Sequence, residues 1–273
     1  MIYLRRILVP SFFALVCVAG VMGNARAQSF SLLTNGNFET GNLNGWTVAN
    51  IRDTGTTNPT GTTGGFFADA PGTTTPGVGV NNITFNTASN ASGGNGYAVS
   101  SSDFPGQSAL LQNFVIPDLA NLQVTLTYQM FVTDQSGFGG VVDSSGLDYT
   151  TSNSNPRRSN QHARVDILSS SSANFTTMPG DVVRNLYSGV DSAVTHPNTN
   201  PYVSYSFNIT QNVARGQTYR LRFAEVDNLS ALNMGIDNVF ITAVVVPEPA
   251  SLALVTATLA LLVLPITRRN KGN

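Results

Sequence analysis

His162, Arg164 and Asp166 are the densest run of side chains able to do chemistry, and they alternate with Ala163, Val165 and Ile167. Alternation at period two puts the three polar groups on one face of a strand. Arg220 and Arg222 have the same spacing among Tyr219, Leu221 and Phe223, and they join that face where the two strands share a sheet. Such a surface could bind a polar ligand, or it could be a solvated sheet face with weak ion pairs. Buried unpaired charge is costly, so the face must be open to solvent or internally paired.

Hydrolytic chemistry finds less support. A glycosidase needs two carboxylates at a set separation, yet between residues 28 and 246 there are only two glutamates, Glu39 and Glu225. The aspartates are scattered mainly through polar stretches. The available bases are His162 and His196, 34 residues apart, with no Gly-x-Ser-x-Gly elbow and no His-Glu-x-x-His pair. The expectation is that the chain is not an enzyme.

The elements that must position these groups are strands. From Leu122, the residues Val124, Leu126, Tyr128, Met130 and Val132 alternate with polar neighbours. Val203, Tyr205, Phe207 and Ile209 do the same, as do Tyr219, Leu221 and Phe223, Ala163, Val165 and Ile167, and Val239, Ile241 and Ala243. Weaker candidates are 30–34, 97–101 and 110–116. No segment has the 3.6 period of an amphipathic helix. One-sided strands imply antiparallel sheets with one face in a shared core and the other toward solvent. The expected fold is an all-β antiparallel sandwich, a jelly roll. Asn50 to Asn95, Asp134 to Gln161 and Tyr187 to Asn200 are rich in Gly, Thr, Ser, Asn and Pro, and read as long polar loops.

Both ends carry targeting patterns. Arg5 and Arg6 precede an apolar run from Ile7 to Met22, and Ala25-Arg26-Ala27 supplies a small-x-small cleavage site. Residues 1–27 are therefore expected to be a signal peptide removed by signal peptidase. Cys17, the single cysteine, lies inside that run, so the exported chain has neither a disulfide nor a thiolate metal site. At the other end, Val246-Pro247-Glu248-Pro249 is followed by an uncharged segment, 250–266, and then Arg268-Arg269-Asn270-Lys271. As a helix the segment reaches roughly 25 Å, near the short end of what spans a bilayer. The basic cluster behind it stays on the cytoplasmic side.

This ordered triple over 246–273 resembles the PEP-CTERM sorting signal of Gram-negative bacteria. The resemblance implies an exosortase as processing partner, transient anchoring in the inner membrane, and release to the cell surface or to an exopolysaccharide matrix. Pro247 and Pro249 hold the motif extended, as a protease cleft requires.

Between the ends lie about 219 residues (28–246), within the range for one sandwich domain. They hold eight arginines, no lysine and fourteen carboxylates, a formal charge of −6, whereas the whole chain stands at −1. So acidic a surface argues against nucleic acid as a partner.

Leu33-Thr34-Asn35-Gly36-Asn37-Phe38-Glu39-Thr40-Gly41 and the following Gly45-Trp46 open the domain, and Met234-Gly235-Ile236-Asp237-Asn238-Val239 lies near its end. These resemble the first and last strands of jelly-roll carbohydrate-binding modules and related galactose-binding-like domains. The resemblance implies that Glu39 and Asp237 meet and hold a structural calcium, with backbone carbonyls and water completing six to eight oxygens. The plainer reading is a pair of turn or hydrogen-bonding residues. It also implies that Trp46, the single tryptophan, packs inside the sandwich. Three functions remain in competition: a non-catalytic surface protein binding polysaccharide, a structural or adhesive matrix protein, and, with least support, a glycan-active hydrolase.

Overall fold

The computed structural model describes residues 27–52, 65–70, 94–101, 105–134, 142–143, 146–150, 159–189, 202–228 and 232–246. Residues 1–26, the Pro247-Glu248-Pro249 motif and the apolar segment 250–266 lie outside them. The chain divides into two units: Ser29–Ala243, and a second of Met1–Gln28 with Val244–Asn273. Within the second, the Val245 N–H donates to the Gln28 carbonyl at 2.9 Å. No helix among the described residues is long and apolar enough to cross a membrane.

Eleven strands are described: β1 (Ser29–Ser31), β2 (Thr47–Arg52), β3 (Gly65–Asp69), β4 (Tyr97–Ser101), β5 (Gly106–Val115), β6 (Leu122–Asp134), β7 (Gln161–Ser169), β8 (Val182–Gly189), β9 (Val203–Asn208), β10 (Thr218–Asp227) and β11 (Leu232–Val245). They form two antiparallel sheets. The first has the order β3-β4-β11-β6-β9, with β1 also on β11, and the second has the order β2-β5-β10-β7-β8. One core lies between them. Val124, Leu126, Tyr128, Met130 and Val132 of β6 and Met234, Ile236, Val239 and Ile241 of β11 meet Leu110, Val165, Ile167, Leu221 and Phe223 of the second sheet. Trp46 belongs to this core, with its ring 5.6 Å from Phe38 and 6.2 Å from Phe223. Its Nε1–H donates to the Asn35 carbonyl at 3.1 Å, which satisfies the one polar atom of the indole.

Two expectations need correction. Sheets with one solvated face were expected, but β10 is buried without interruption from Leu221 to Asp227, and β11 from Leu232 to Asp237. The reason is a second apolar layer on each outer side. Ala109, Leu111, Ala224 and Val226 pack with Leu147 and Phe175 over the second sheet, and Tyr97, Val99 and Phe131 pack with Phe67 and Tyr202 over the first. Central strands covered on both faces need no polar alternation. The stretch from Asn50 to Asn95, read as one loop, contains the end of β2 and all of β3, whose Phe66 is buried. Likewise β8 runs three residues into the stretch read as loop from Tyr187. That edge strand escapes a period-two reading because its pairing with β7 shifts register twice, between Val165 and Asp166 and between Ile167 and Leu168.

Candidate functional site

The outer side of the second sheet gathers the polar groups noted above. Its register sets Arg222 of β10 opposite Asp166 of β7, Ala224 opposite Arg164, and Val226 opposite His162. All three β7 residues and both arginines of β10 therefore share one face. The structure pairs these groups with the protein itself. The Asp166 carboxylate has no exposed area and accepts from Arg164 at 3.0 Å through both Nε and Nη2, from Asn185 Nδ2 at 2.8 Å, and from Arg222 Nε at 3.2 Å. Burial pushes the Arg222 guanidinium below its ordinary pKa, while the charge and hydrogen bond of Asp166 act to hold it up.

Further donors of the two arginines go to the loop between β7 and β8. Arg220 Nη2 and Nη1 donate to the carbonyls of Ser170 (2.8 Å) and Ser172 (3.1 Å), and Arg222 Nη1 donates to those of Asn174 and Thr176, both at 2.8 Å. Carbonyls of every second loop residue are thus claimed by two arginines two residues apart on one strand. The Ser172 and Thr176 hydroxyls close the loop from within by donating to Asp181. His162 is fully buried, with Nδ1 3.0 Å from Asn160 Oδ1. Because Asn160 Nδ2 donates to the carbonyls of Gly146 and Asp148, its Oδ1 must accept, which assigns the proton to His162 Nδ1.

Beside this clamp a cavity of about 310 Å³ opens, lined by Gly45, Thr47, Leu111, Gln112, Asn113, Asn174 and Arg220. Gln112 is spent on the fold: its Oε1 accepts from the Thr34 N–H, and its Nε2 donates to the Thr34 and Gly45 carbonyls. Arg220 Nε donates to Asn113 Oδ1 at 3.0 Å, and its Nη1 donates to Asn174 Oδ1 at 3.1 Å. A guanidinium can only donate, so both amides are oriented with oxygen toward Arg220 and Nδ2 turned from it. Sequence reasoning missed both asparagines. Asn113 carried a signal, a polar residue at an alternate position within the apolar run 110–116, whereas Asn174 carried none.

Glu39 and Asp237 are brought near one another by the opening turn. The Val239 N–H donates to the Gly36 carbonyl at 2.8 Å, and the Asn95 N–H donates to Glu39 Oε2 at 2.7 Å. Phe38 and Asn238 both adopt positive φ, 53° and 50°, where the two segments cross. Burial raises the Asp237 carboxyl to about 7; the Asn238 N–H, 2.6 Å from Oδ1, opposes the rise and the Glu39 charge adds to it. Oxygen ligands suit a hard cation, but the described residues contain no group of three or more His, Cys, Asp or Glu side chains placed to hold a metal.

A further carboxyl, Glu225, is sealed between the sheets. Its Oε2 accepts from the Ser100 hydroxyl at 2.5 Å, while Oε1 has no hydrogen-bond partner among the described residues. Burial raises this carboxyl to about 8, the Ser100 bond opposing and Asp227 adding to the rise.

No known family model matches the chain, and no curated protein matches it. Solved structures resemble it distantly. A Stig cyclase, Fisc, from Fischerella sp. TAU is 17% identical, with 79% of this chain and 98% of that one covered and a TM-score of 0.41. TmCBM61, solved in complex with beta-1,4-galactotriose, is 11% identical, with 78% and 97% covered and a TM-score of 0.40. The K1 cleaved adhesin domain of Lys-gingipain from Porphyromonas gingivalis is 14% identical, with 80% and 98% covered and a TM-score of 0.38. At these scores the likeness decides neither ligand nor activity.

Proposed function

We propose that the chain is exported, sorted by an exosortase at Pro247-Glu248-Pro249, and delivered to the cell surface or the extracellular matrix, where its domain binds polysaccharide without catalysis. The tripartite patterns at both ends support the itinerary, and the opening and closing strand motifs support the domain type. Strand order agrees with a jelly roll: β4-β11-β6-β9 stands opposite β5-β10-β7-β8, and from β4 to β11 the chain changes sheet at every connection except β7 to β8.

The observation that carries the binding reading is the cavity beside Arg220. Its two asparagine amides are locked in orientation by the guanidinium, and neither Nδ2 bonds to a described residue. Groups held ready in this way lose little conformational freedom on meeting a sugar. Against catalysis stands the position of the two glutamates: Glu225 is shut between the sheets, and Glu39 is engaged beside Asp237. Those two residues are proposed to hold calcium, which would neutralise their mutual repulsion and staple the opening turn to β11.

A structural or adhesive role is the second reading. It is favoured by the closure of His162, Arg164, Asp166 and Arg222 into internal bonds, which leaves Arg220 and its neighbours as the accessible polar groups of that set. Glycan-array binding by the purified protein, with calcium and with chelator, tests both. Retention on a polysaccharide that is lost on Asn174→Ala supports the first reading; no retention on any glycan supports the second.

A further inference from the structure

The cavity beside Arg220 keeps several hydrogen-bond donors unspent. Asn113 Oδ1 and Asn174 Oδ1 each accept one bond from the guanidinium, and both Gln112 amide hydrogens go to the carbonyls of Thr34 and Gly45. What remains unbonded is the Nδ2 amide of Asn113, that of Asn174, and one N–H of Arg220 Nη2, whose other N–H goes to the Ser170 carbonyl. All three can only donate. Among the described lining residues Thr47 contributes the one hydroxyl, which can do either.

The charge is one-sided. Every described partner of Arg220 is a neutral oxygen, from Asn113, Ser170, Ser172 and Asn174. The neighbouring carboxylate, Asp166, is shared between Arg164 and Arg222. Among the described residues the cavity is lined by one cation and no acid, although the domain as a whole is acidic.

A neutral sugar hydroxyl finds acceptors here in Thr47 and in the second lone pairs of the amide oxygens, but it brings no charge to Arg220. A carboxylate brings acceptors alone and a compensating charge, and charge-assisted bonds of this kind are the stronger ones. We infer that this cavity takes the carboxylate of an acidic sugar, so that the polysaccharide bound is a uronate-containing one. This rests on the polysaccharide-binding reading above and narrows it.

The test is calorimetric titration of the purified full chain with oligogalacturonate and with the uncharged galacto-oligosaccharide of equal length, at low and high salt. Asn113→Asp and Asn174→Asp are the informative variants, because each keeps the oxygen that Arg220 holds while deleting a donor and adding a negative charge. The expected result is binding of the uronate at least tenfold tighter than of the neutral chain, weakened by salt, and weakened at least tenfold further by either substitution with an unchanged melting midpoint. Equal affinity for the two oligosaccharides, or uronate binding untouched by both substitutions, would overturn the acidic-sugar inference and leave polysaccharide binding standing. Binding of neither here, with no glycan retained on the array, removes the broader reading and this one with it.

Discussion

Arg222 and Asp166 form an ion pair with no solvent exposure on either side chain, and the same guanidinium holds the carbonyls of Asn174 and Thr176. The pair therefore sets the position of the loop that forms one wall of the cavity. Removing one member strands a buried charge. Asp166→Ala is expected to cost about 3–5 kcal/mol. Arg164→Ala leaves Asp166 its bonds to Arg222 and Asn185 and should cost nearer 1 kcal/mol. Urea denaturation of both variants measures the difference; equal losses would mean that Arg222 does not depend on Asp166.

Glu225 makes stability depend on pH in a defined direction. Its carboxyl rises to about 8 in the folded chain, so the folded state keeps a proton that the unfolded state has lost. Stability from this group is full below the ordinary carboxylate range and is lost as pH rises through about 8. Asp237, raised to about 7, acts in the same sense over a narrower span. Glu225→Gln retains the shape without the titration. It should flatten the slope and exceed wild type in stability near pH 9. A wild-type protein equally stable at about pH 5 and pH 9 would contradict this account.

Calcium should act on the same pair of ends that Glu39 and Asp237 join. At a hundredfold excess over its dissociation constant the folded state gains roughly 2.7 kcal/mol, visible as a raised melting midpoint. Asp237→Asn is expected to abolish that rise and, in chelator above about pH 7, to hold the protein at or above wild-type stability, because it removes the buried charge. Identical melting curves for wild type in calcium and in chelator would remove the cation from the picture.

Gly36 tests the opening turn directly. A Cβ built there would stand 1.9 Å from the Val239 carbonyl oxygen, which is backbone of β11 and cannot swing aside. Gly36→Ala is thus expected to cost at least about 1–3 kcal/mol, the usual range for overpacking. At Gly41 a Cβ meets nothing within 4 Å, and φ is +67°. Gly41→Ala should cost only the roughly 1 kcal/mol of a left-handed backbone. Thermal melts that rank the two the other way would contradict the turn geometry.

Processing at both ends is expected in cells that contain an exosortase. Intact-mass measurement of the native protein should find a start near Gln28 and loss of the segment after the Pro247-Glu248-Pro249 motif. A full-length C-terminus recovered from the membrane of such cells would refute the second event.

The strands most legible in the sequence were β6, β9 and the second half of β11, because each buries one side more than the other and alternation records that directly. β3 and β8 were not legible. The first is five residues set in polar sequence, and the second is an edge strand whose bulges break the period. Where both faces are covered, as from Leu232 to Asp237, burial leaves no alternation to read.

Period two by itself determined that His162, Arg164 and Asp166 share a face, and that Arg220 and Arg222 share one, since side-chain direction along a strand is a local property. Whether those faces coincide, and what they meet, was decided by the tertiary structure. Pairing of β10 with β7 set Arg222 against Asp166, and the loop from Ser170 to Thr176 folded back to take the remaining donors. An arginine cannot accept, so once the loop carbonyls and Asp166 had claimed its neighbours, the orientation of Asn113 and Asn174 followed. Those contacts join residues 46 to 107 positions apart, a distance over which no local pattern in the chain carries information.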